Sequence, residues 1–363
     1  MAFLSPGQPV RRGLCWVAGL YGLVTGVSRW CYRQRWLLTT RLPCPVISVG
    51  NLTVGGTGKT PFVIFLAQRL LAKGWRVAIL SRGYKRTGHA PQVLVSDGVH
   101  ILADPLDSGD EPFLMAQRCP QAVVAVGADR VALGRWVLER HPIDCMILDD
   151  GFQHRALHRD VDLVLLDATD AAGLDAMVPA GRLREPLTEL DRASAVVITR
   201  ADVRHEVDAI RSRLSRTHCP PNDAIEVVFR PEFFIAIVSG SSQAIEWGKG
   251  KKAWLVSGIG NGSSFHRSVE SVGVEIVGET MFDDHHRYDH HEIEDVRAKM
   301  KRSGSDIVLT TEKDGGKLTP LLEANDPWWM LRLETYVVQG GDRLTRLIDE
   351  SLSRRCDTPE THE

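Results

Sequence analysis

A glycine-rich octapeptide places the strongest constraint on how this chain can fold. The run is Thr53-Val54-Gly55-Gly56-Thr57-Gly58-Lys59-Thr60. It follows an apolar stretch at residues 46–49 and precedes a helical pattern at residues 61–73. A strand, a loop of the form GxxxxGK(S/T) and a helix in this order are typical of a phosphate-binding loop, or P-loop. Thr53 replaces the first glycine of the pattern, and the other positions match it.

The residues of this loop suit the binding of a nucleoside triphosphate. Glycine adopts backbone conformations closed to other residues and lets a phosphate approach closely. Successive backbone N–H groups at the start of a helix then form an anion-binding nest. We expect Lys59 to reach the β- and γ-phosphates and the Thr60 hydroxyl to ligate Mg²⁺. The alternative is a glycine-rich turn with an incidental lysine, which the flanking strand and helix disfavour.

Short apolar segments alternate with helical patterns beyond this loop. Strands are predicted at 46–49, 76–80, 122–126, 143–148, 161–166 and 195–199. Helices are predicted at 61–73, 111–118, 129–140 and 203–214. Apolar strands separated by helices indicate a parallel sheet that is covered on both faces. The predicted fold class is therefore α/β, a doubly wound parallel sheet of the P-loop NTPase type.

The length of the chain and a break in this pattern predict more than one compact unit. A domain commonly has about 100–200 residues, and this chain has 363. The run Cys219-Pro220-Pro221-Asn222-Asp223 interrupts the alternation, and a second series of shorter strands and helices follows it. We predict an N-terminal membrane-associated segment at 1–38, a nucleotide-binding domain at 39–222, a second, smaller α/β lobe at 223–334, and a C-terminal helix and tail at 335–363.

Charge and cysteine content exclude several classes of function. The formal net charge is −2, so no basic field points to a nucleic acid partner, and an anionic ligand must be held by a local cluster. The seven cysteines are odd in number and none are spaced as CxxC. This pattern disfavours a disulfide framework or a cysteine zinc site and fits reduced thiols.

The N-terminal segment is more apolar than the rest of the chain. Residues 13–32 contain only small polar side chains and Arg29 among apolar ones, and arginines and aromatic residues flank or interrupt the run. About 20 apolar residues can span a membrane, and a secretory signal is another interpretation. We favour a helix lying in the membrane surface, because the run contains glycines and has cations on both sides. A helix packed on the protein's own core is the remaining alternative.

Two carboxylates end an apolar strand of the first series. Asp149 and Asp150 follow the apolar run 145–148, and a strand-end aspartate holds the metal in P-loop enzymes. We predict that they bind Mg²⁺, without a division of roles between them. Residues 151–155 are either an ordinary connection or an active-site loop at the carboxyl edge of the sheet, where ligands of such folds bind.

Two further groups have the chemistry to move a proton. Asp110 precedes Glu111 and a proline at the start of a predicted helix, so it is either a helix cap or a carboxylate aimed at the γ-phosphate. In the second series, four histidines lie beside aspartates within residues 285–291. This cluster has three interpretations: a metal site, a proton-transfer pair in which an aspartate orients a histidine, and a solvated helix start.

At this point several motifs converge on one family. They are Ser48-Val49-Gly50-Asn51-Leu52-Thr53-Val54-Gly55-Gly56-Thr57-Gly58-Lys59-Thr60-Pro61, Ser81-Arg82-Gly83-Tyr84, Gly109-Asp110-Glu111-Pro112, Asp149-Asp150-Gly151-Phe152-Gln153-His154, Leu183-Arg184-Glu185-Pro186, Asp284-His285 and Thr311-Glu312-Lys313-Asp314. In this order they resemble the signature motifs of tetraacyldisaccharide 4'-kinases. Members of that family also have a non-glycine residue at the position of Thr53.

The resemblance implies an activity, an acceptor and a location. The enzyme would transfer the γ-phosphate of MgATP to the 4'-hydroxyl of an acylated glucosamine disaccharide 1-phosphate in lipid A biosynthesis. Two lobes would be hinged around the active site. The N-terminal helix would hold the protein on the membrane lipid surface, at the cytoplasmic face of the bacterial inner membrane, as a peripheral or monotopic protein. No nucleic acid and no obligate protein partner is expected.

The resemblance also implies roles for individual residues. Asp110 would act as the general base, and His285 would pair with it from the second lobe, with His286 as the other possible match. Asp149 and Asp150 would hold Mg²⁺. The metal interpretation of the histidine cluster then becomes secondary.

A second group of charged residues is predicted to surround the reacting groups. The resemblance places Glu111 and Glu185 in the second tier of the site. Arg82, Arg130 and Arg184 are candidates for binding negative groups of the acceptor or the transition state, because a guanidinium matches phosphate geometry. The alternative for each arginine is an ordinary surface position.

Two rival functions use the same motifs. A membrane-bound ATPase that switches a protein partner would need the P-loop and the N-terminal helix, but not a base at Asp110. A soluble small-molecule kinase would pack the N-terminal helix on its own core. Phosphate transfer to a lipid separates the kinase from the first rival. Membrane partition with and without residues 1–38 separates it from the second.

Overall fold

The structure of the protein, a computed structural model, describes residues 18–353, apart from positions 20, 24, 28, 29, 33, 35 and 89 and residues 216–222. Three predictions fall wholly or partly outside the described residues. They are the start of the apolar segment 13–32, the chain break before residue 223, and the tail beyond residue 353. Within the N-terminal segment, the described positions 18–19, 21–23, 25–27 and 30–32 are helical.

The described residues form one large mixed sheet with hydrophobic cores on both faces. Its strands are β1 Val46–Asn51, β2 Val77–Ser81, β3 Gln92–Asp97, β4 Val123–Gly127, β5 Cys145–Asp149, β6 Val161–Asp167, β7 Ala195–Thr199, β8 Ile225–Ala236, β9 Ser242–Ala244, β10 Lys252–Ser257, β11 Glu275–Met281, β12 Ile307–Thr311 and β13 Trp328–Gln339. The α-helices are α1 Lys59–Ala72, α2 Pro105–Ser108, α3 Asp110–Arg118, α4 Arg130–Leu138, α5 Arg204–Leu214, α6 Gly262–Glu270, α7 His290–Ser303, α8 Glu312–Leu318 and α9 Gly341–Ser353.

The first half of the sheet has a parallel centre that positions the loop after β1. β1 lies between β5 and β6 and is parallel to both, and β2, β4 and β7 extend the sheet in the same direction. Every residue of these six strands is buried, which explains why their sequences are predominantly apolar. Their carboxyl ends meet at one edge, where ligand sites of open α/β sheets form.

Two long antiparallel strands, β8 and β13, join the first half to the second. β8 begins parallel to β7 and then pairs with β13, which is parallel to β12. The register of the β8–β13 pair shifts where Pro231 faces Leu333, since a proline cannot donate to the ladder and is found at bulges. One sheet therefore runs through both halves in the order β11-β10-β12-β13-β8-β7-β6-β1-β5-β2-β4-β3. The division into separate lobes stays a prediction.

The C-terminal helix α9 returns to the first half of the molecule. Its buried side chains Leu344, Ile348 and Leu352 recur every four residues, a spacing that places them on one helix face. They share one hydrophobic core with β1 and α1. The sequence predicts a helix here without a docking site, and the structure docks it on the P-loop half.

Candidate active site

The loop between β1 and α1 has the conformation that its glycines permit. Gly55 and Gly58 have φ angles of 115° and 81°, in the left-handed region that favours glycine. A side chain on Gly58 would also come within 2.5 Å of the Phe229 ring. Helix α1 begins immediately afterwards at Lys59, so its first backbone N–H groups face the loop. The loop is therefore built to bind an anion.

The position of Thr53 explains why the first glycine of the pattern is not needed. Thr53 is buried and forms an isolated antiparallel bridge with Leu183. The next residue, Val54, donates its N–H to the Arg182 carbonyl at 2.8 Å. This pairing keeps the start of the loop extended, a conformation that threonine adopts readily.

Lys59 reaches across the loop to the end of β5. Its Nζ lies 3.4 Å from Asp150 Oδ1, and Arg184 Nη1 lies 3.0 Å from Asp150 Oδ2. Burial favours a raised pKa for Asp150, but Lys59 and Arg184 outweigh burial and hold that pKa below its ordinary value. Two cations therefore converge on one carboxylate, as they do on phosphate oxygens.

Asp149 is the more deeply buried member of the aspartate pair. Its Oδ2 accepts a hydrogen bond from the Ser81 hydroxyl at 2.8 Å, whereas its Oδ1 has no hydrogen-bond partner within the described part of the chain. Burial, with Glu111 and Asp150 nearby, raises the pKa of Asp149 to about 7. A divalent cation would satisfy this buried oxygen and favour the ionised carboxylate.

The residues at this edge fit a Mg²⁺ ion that is bound together with a nucleotide. Among the residues that the structure describes, no three His, Cys, Asp or Glu side chains are grouped so as to hold a metal ion by themselves. Mg²⁺ does not require such a cage, since one or two carboxylates with waters and phosphates hold it. Asp149, Asp150 and the Thr60 hydroxyl in the first turn of α1 offer such an open set of oxygen ligands.

Asp110 and His285 meet from different halves of the chain. Asp110 begins α3 after Gly109, whose φ is 92°. His285 lies in the loop after β11 and has a left-handed φ of 65°. Its Nδ1 is 3.1 Å from Asp110 Oδ2. Burial favours a raised pKa for Asp110, but the hydrogen bond with His285 and two lysines of α8 outweigh burial and lower that pKa.

The adjacent histidine has different partners. His286 Nε2 lies 2.9 Å from both carboxylate oxygens of Glu292, near the start of α7. Its ring stacks on Phe282 with 4.3 Å between the ring centroids. The sequence left open which histidine faces Asp110, and the structure places His285 there.

Two lysines of α8 complete this cluster, and the sequence alone predicts a role for neither. Lys313 Nζ lies 3.1 Å from His285 Nε2 and 3.6 Å from Glu111 Oε1. Lys317 Nζ lies 3.4 Å from Asp110 Oδ2. The available signal was the motif Thr311-Glu312-Lys313-Asp314, which contains Lys313. Lys317 lies four residues later, on the same face of the helix.

The two residues after Leu183 point in different directions, one toward the site and one into the protein. Arg184 faces Asp150, as described above. Glu185 is buried, with one carboxylate oxygen 3.1 Å from Arg155 and the other 2.8 Å from Arg192. Neighbours in an extended segment point to opposite sides. Glu185 therefore holds this segment in place, while Arg184 reaches the site.

Two arginines lie on the far side of β5 from the P-loop. Arg82 is exposed just after β2, and Arg130 is buried just after β4, at the ends of neighbouring strands. Burial and the nearby Arg82 lower the pKa of Arg130. Two adjacent guanidinium groups at the carboxyl edge favour the binding of an anion between them.

A cavity of about 660 Å³ lies beside the P-loop, within the size range of small-molecule sites. Its lining includes Gly55, Gly56, Thr57, Arg182, Asn261 and His266. Arg200 links the loop to α6, because its Nη1 lies 3.1 Å from the Gly56 carbonyl and its Nε lies 3.3 Å from Ser264 Oγ. The cavity thus lies between the P-loop and the second half of the chain.

Several known proteins are similar to this chain, and their names agree with the family resemblance predicted from the motifs. The family described as tetraacyldisaccharide-1-P 4'-kinase (LpxK) matches residues 10–353. A tetraacyldisaccharide 4'-kinase of Syntrophus aciditrophicus (strain SB) is 39% identical over 316 residues, which cover 84% of this chain and 84% of that protein. A tetraacyldisaccharide 4'-kinase of Anaeromyxobacter sp. (strain Fw109-5) is 36% identical over 351 residues, which cover 96% and 94%.

A solved structure has the same fold. The crystal structure of the "apo" form of LpxK from Aquifex aeolicus in complex with ATP is 32% identical in sequence to this chain. The alignment has a TM-score of 0.76 and covers 94% of this chain and 99% of that one. The α/β fold of P-loop type and the family resemblance predicted from the motifs are therefore confirmed. The chain belongs to the tetraacyldisaccharide-1-P 4'-kinase family.

Proposed function

We propose that this protein is an ATP-dependent lipid kinase, which transfers the γ-phosphate of ATP to the 4'-hydroxyl of a tetraacyldisaccharide 1-phosphate in lipid A biosynthesis. Its relatives are tetraacyldisaccharide 4'-kinases, and the similar LpxK structure is in complex with ATP. The groups at the carboxyl edge of the sheet support the same reaction.

One observation carries the proposal: a series of polar contacts and charge interactions links the P-loop to the histidine of the second half. Lys59 contacts the aspartate pair after β5, with 3.4 Å between Nζ and Asp150 Oδ1. Glu111 lies close enough to that pair to raise the pKa of its buried member. Lys313 joins Glu111 to His285, at 3.6 Å and 3.1 Å. Groups suited to a triphosphate, a metal ion and an acceptor hydroxyl therefore lie in one site.

The transfer exchanges one P–O bond for another. The 4'-hydroxyl oxygen forms a bond to the γ-phosphorus, while the bond from that phosphorus to the bridging oxygen breaks and ADP leaves with the electron pair. The hydroxyl proton passes to the Asp110–His285 pair. Lys59 neutralises charge on the β- and γ-phosphates. Catalysis of this kind depends on positioning and charge neutralisation, which this arrangement supplies.

The aspartate pair after β5 and Thr60 are the residues that would hold Mg²⁺, which supplies charge neutralisation at the phosphate oxygens. Asp149 Oδ1 has no hydrogen-bond partner among the described residues, which supports this assignment. Arg184 holds the carboxylate of Asp150 in place from the other side. The cavity beside the P-loop would take the nucleoside part of ATP, because P-loop residues form part of its lining.

The acceptor also requires contact with a membrane, since each CH₂ withdrawn from a bilayer costs about 0.8 kcal/mol. Among the described residues of the N-terminal segment and the turn after it, the exposed large apolar side chains are Tyr21, Leu23, Val27, Trp30, Trp36, Leu37 and Leu38. Within the described residues, no helix is both long and apolar enough to cross a membrane. The exposed aromatic and aliphatic side chains support a peripheral or monotopic anchor. We propose that it lies on the cytoplasmic face of the inner membrane.

Transfer of labelled γ-phosphate from ATP to a tetraacyldisaccharide 1-phosphate in mixed micelles tests the function. The wild-type protein should label the lipid. Lys59→Ala should abolish transfer while its circular dichroism spectrum stays that of the folded protein. Lys73→Ala, which changes an exposed lysine just beyond the other end of α1, should leave transfer unchanged. Hydrolysis of ATP without label in the lipid would contradict the proposal and favour the ATPase that switches a protein partner.

A further inference from the structure

An ammonium group contacts the ring nitrogen of His285 that faces away from Asp110. Lys313 Nζ lies 3.1 Å from His285 Nε2, and His285 Nδ1 lies 3.1 Å from Asp110 Oδ2. An ammonium donates hydrogen bonds and cannot accept one, so Nε2 must carry a lone pair. The ring proton is then on Nδ1 and is donated to the Asp110 carboxylate.

Lys313 is itself held in place and kept charged. Its Nζ lies 3.0 Å from Asp284 Oδ1 and 3.6 Å from Glu111 Oε1. Burial lowers the pKa of Lys313, but Glu111 and Asp284 outweigh burial and raise that pKa above its ordinary value. The helix that carries it is capped by Thr311, whose side chain accepts from the Asp314 N–H. A partly buried cation in a fixed position therefore faces the imidazole.

We propose that Lys313 is a positioning residue for phosphoryl transfer, whose ammonium selects the Nδ1–H tautomer of His285 and thereby orients the ring toward Asp110. The proposal rests on the proposed function, because it assigns Lys313 to the pair that receives the acceptor proton. The opposite tautomer would direct an N–H at the ammonium and leave Asp110 facing a bare ring nitrogen. Both contacts would then be repulsive at hydrogen-bond distance.

The other groups around the ring make Lys313 necessary for this selection. Asp284 Oδ2 lies 3.7 Å from His285 Nε2 and would attract a proton to that nitrogen. The Tyr84 ring packs against the imidazole with 5.5 Å between centroids and presents an edge-on contact. Lys317 contacts Asp110 on the far side of the pair. Without the Lys313 ammonium, Asp284 is the polar group that competes with Asp110 for the ring proton.

Nitrogen NMR of the full-length protein in micelles, labelled with ¹⁵N-histidine, tests the tautomer directly. The His285 signals are those that disappear in His285→Gln. We expect a proton on Nδ1 alone in the wild type and a protonated Nε2 in Lys313→Met. Lys313→Arg should keep the wild-type tautomer, because a guanidinium also only donates. Lys317→Met removes the neighbouring ammonium without touching Nε2 and should leave the tautomer unchanged.

Steady-state kinetics with the lipid acceptor then test the role in transfer. We expect kcat to fall roughly tenfold to a hundredfold in Lys313→Met, less than the range of about 10²–10⁴ for losing a general base. The KM for ATP should change by less than about twofold, as expected for a group that acts on the proton-accepting pair. Lys313→Arg should recover most of the loss, and Lys301→Met, an exposed lysine of α7, should behave as wild type.

Three results would each overturn the proposal: a wild-type Nε2–H tautomer, an unchanged tautomer in Lys313→Met, or full turnover in Lys313→Met. The first needs no variant, so the test holds even if Lys313→Met does not fold. A wild-type protein that leaves the lipid unlabelled would instead overturn the proposed function. In that case the tautomer measurement still decides whether Lys313 controls the ring.

Discussion

Asp110 and Asp149 are two carboxylates of one site with opposite surroundings. Asp110 is met by His285 and by cations of α8, and its pKa is lowered. Asp149 is buried with other carboxylates nearby, and its pKa is raised to about 7. Environments that push the pKa values of like groups apart assign them different tasks. The first carboxylate is suited to pairing with a histidine, and the second is suited to binding a cation that would favour its ionised form.

Replacing both members of the Asp110–His285 pair should cost little more than replacing one. Asp110→Asn and His285→Gln should each lower kcat by roughly 10²–10⁴, with the KM for ATP nearly unchanged. Residues that act as a unit are not additive, so the double variant should resemble the worse single variant. His286→Gln, whose side chain faces Glu292, is the matched control and should lose far less. Steady-state kinetics that gave multiplied losses would show that the two residues act separately.

The buried carboxyl of Asp149 should make the metal-free protein less stable as the pH rises. Its pKa in the folded protein is about 7, above the value of about 3.9 in an unfolded chain. Between these values the folded state binds more protons than the unfolded state. The contribution of this group to the free energy of unfolding therefore decreases from pH 4 to pH 7 and stays low above it.

The variant Asp149→Asn measures that contribution. It should raise the free energy of unfolding by roughly 1–3 kcal/mol at pH 8 in EDTA and by much less at pH 5. Urea denaturation at both pH values gives the two numbers, with Asp208→Asn, an exposed aspartate of α5, as the control. MgATP should stabilise the wild type more than the variant, because the wild type alone keeps both carboxylates. A variant that is less stable than the wild type at pH 8 would contradict the assignment.

At the scale of elements, the apolar pattern predicted the buried strands and missed β3 and β13, which are partly exposed. The strand predicted at 195–199 is β7, Ala195–Thr199. β3 lies at the edge of the sheet, and β13 mixes buried with partly exposed positions, so neither has a continuous apolar run. α8 contains Gly315 and Gly316, which are weak helix formers, and its Thr311 cap and packing stabilise it. In each missed case, tertiary pairing outweighs local preference.

The site was predictable from the sequence where its residues are contiguous in a motif. Lys59 and the aspartates after β5 follow from local patterns with a known chemistry. The contact of Lys313 with His285 depends on how α8 packs against a loop elsewhere in the second half, and no local pattern encodes that distance. Which of the two histidines faces Asp110 depends on the left-handed backbone at His285. A residue other than glycine gives no sign in the sequence that it adopts this conformation.

Helix α9 should contribute strongly to the stability of the P-loop half. Leu344 is fully buried in the core that also contains β1 and α1. Leu344→Ala should lower the free energy of unfolding by roughly 2–5 kcal/mol, the range for leucine truncation in a core. Arg346→Ala changes an exposed side chain of the same helix and should change stability by less than about 0.5 kcal/mol. Equal effects in urea denaturation would show that α9 does not dock on this core.

At the scale of the whole molecule, the active site depends on both halves of one continuous sheet. Asp110 and Lys59 belong to the first half, whereas His285 and Lys313 belong to the second. The halves also touch outside the acid–base pair, since Lys85 Nζ donates to the Asp284 carbonyl at 3.1 Å. Side chains that act together in one site are thus supplied by segments that lie 175 and 199 residues apart in sequence.

Membrane attachment is a property of the whole molecule and should require the N-terminal segment. The full chain should float with vesicles of phosphatidylethanolamine and phosphatidylglycerol, because exposed aromatic and aliphatic side chains partition into the interface. A chain lacking residues 1–38 should remain in the soluble fraction. The double variant Trp30→Ser and Trp36→Ser, which removes two exposed indoles, should float less than the wild type. Flotation of the shortened chain at the wild-type level would place the anchor elsewhere.

The docking of α9 also determines when the first half of the protein can finish folding during synthesis. The core around β1 and α1 remains open until the last described helix, Gly341–Ser353, has left the ribosome. Domains commonly fold in order from the N-terminus as the chain emerges. Here the P-loop half cannot complete its core until α9 has been synthesised. The nascent chain therefore presents an apolar face through most of its translation. A product that ends before α9 leaves this face uncovered, so we expect it to be less stable and more readily cleaved by proteases than the full chain.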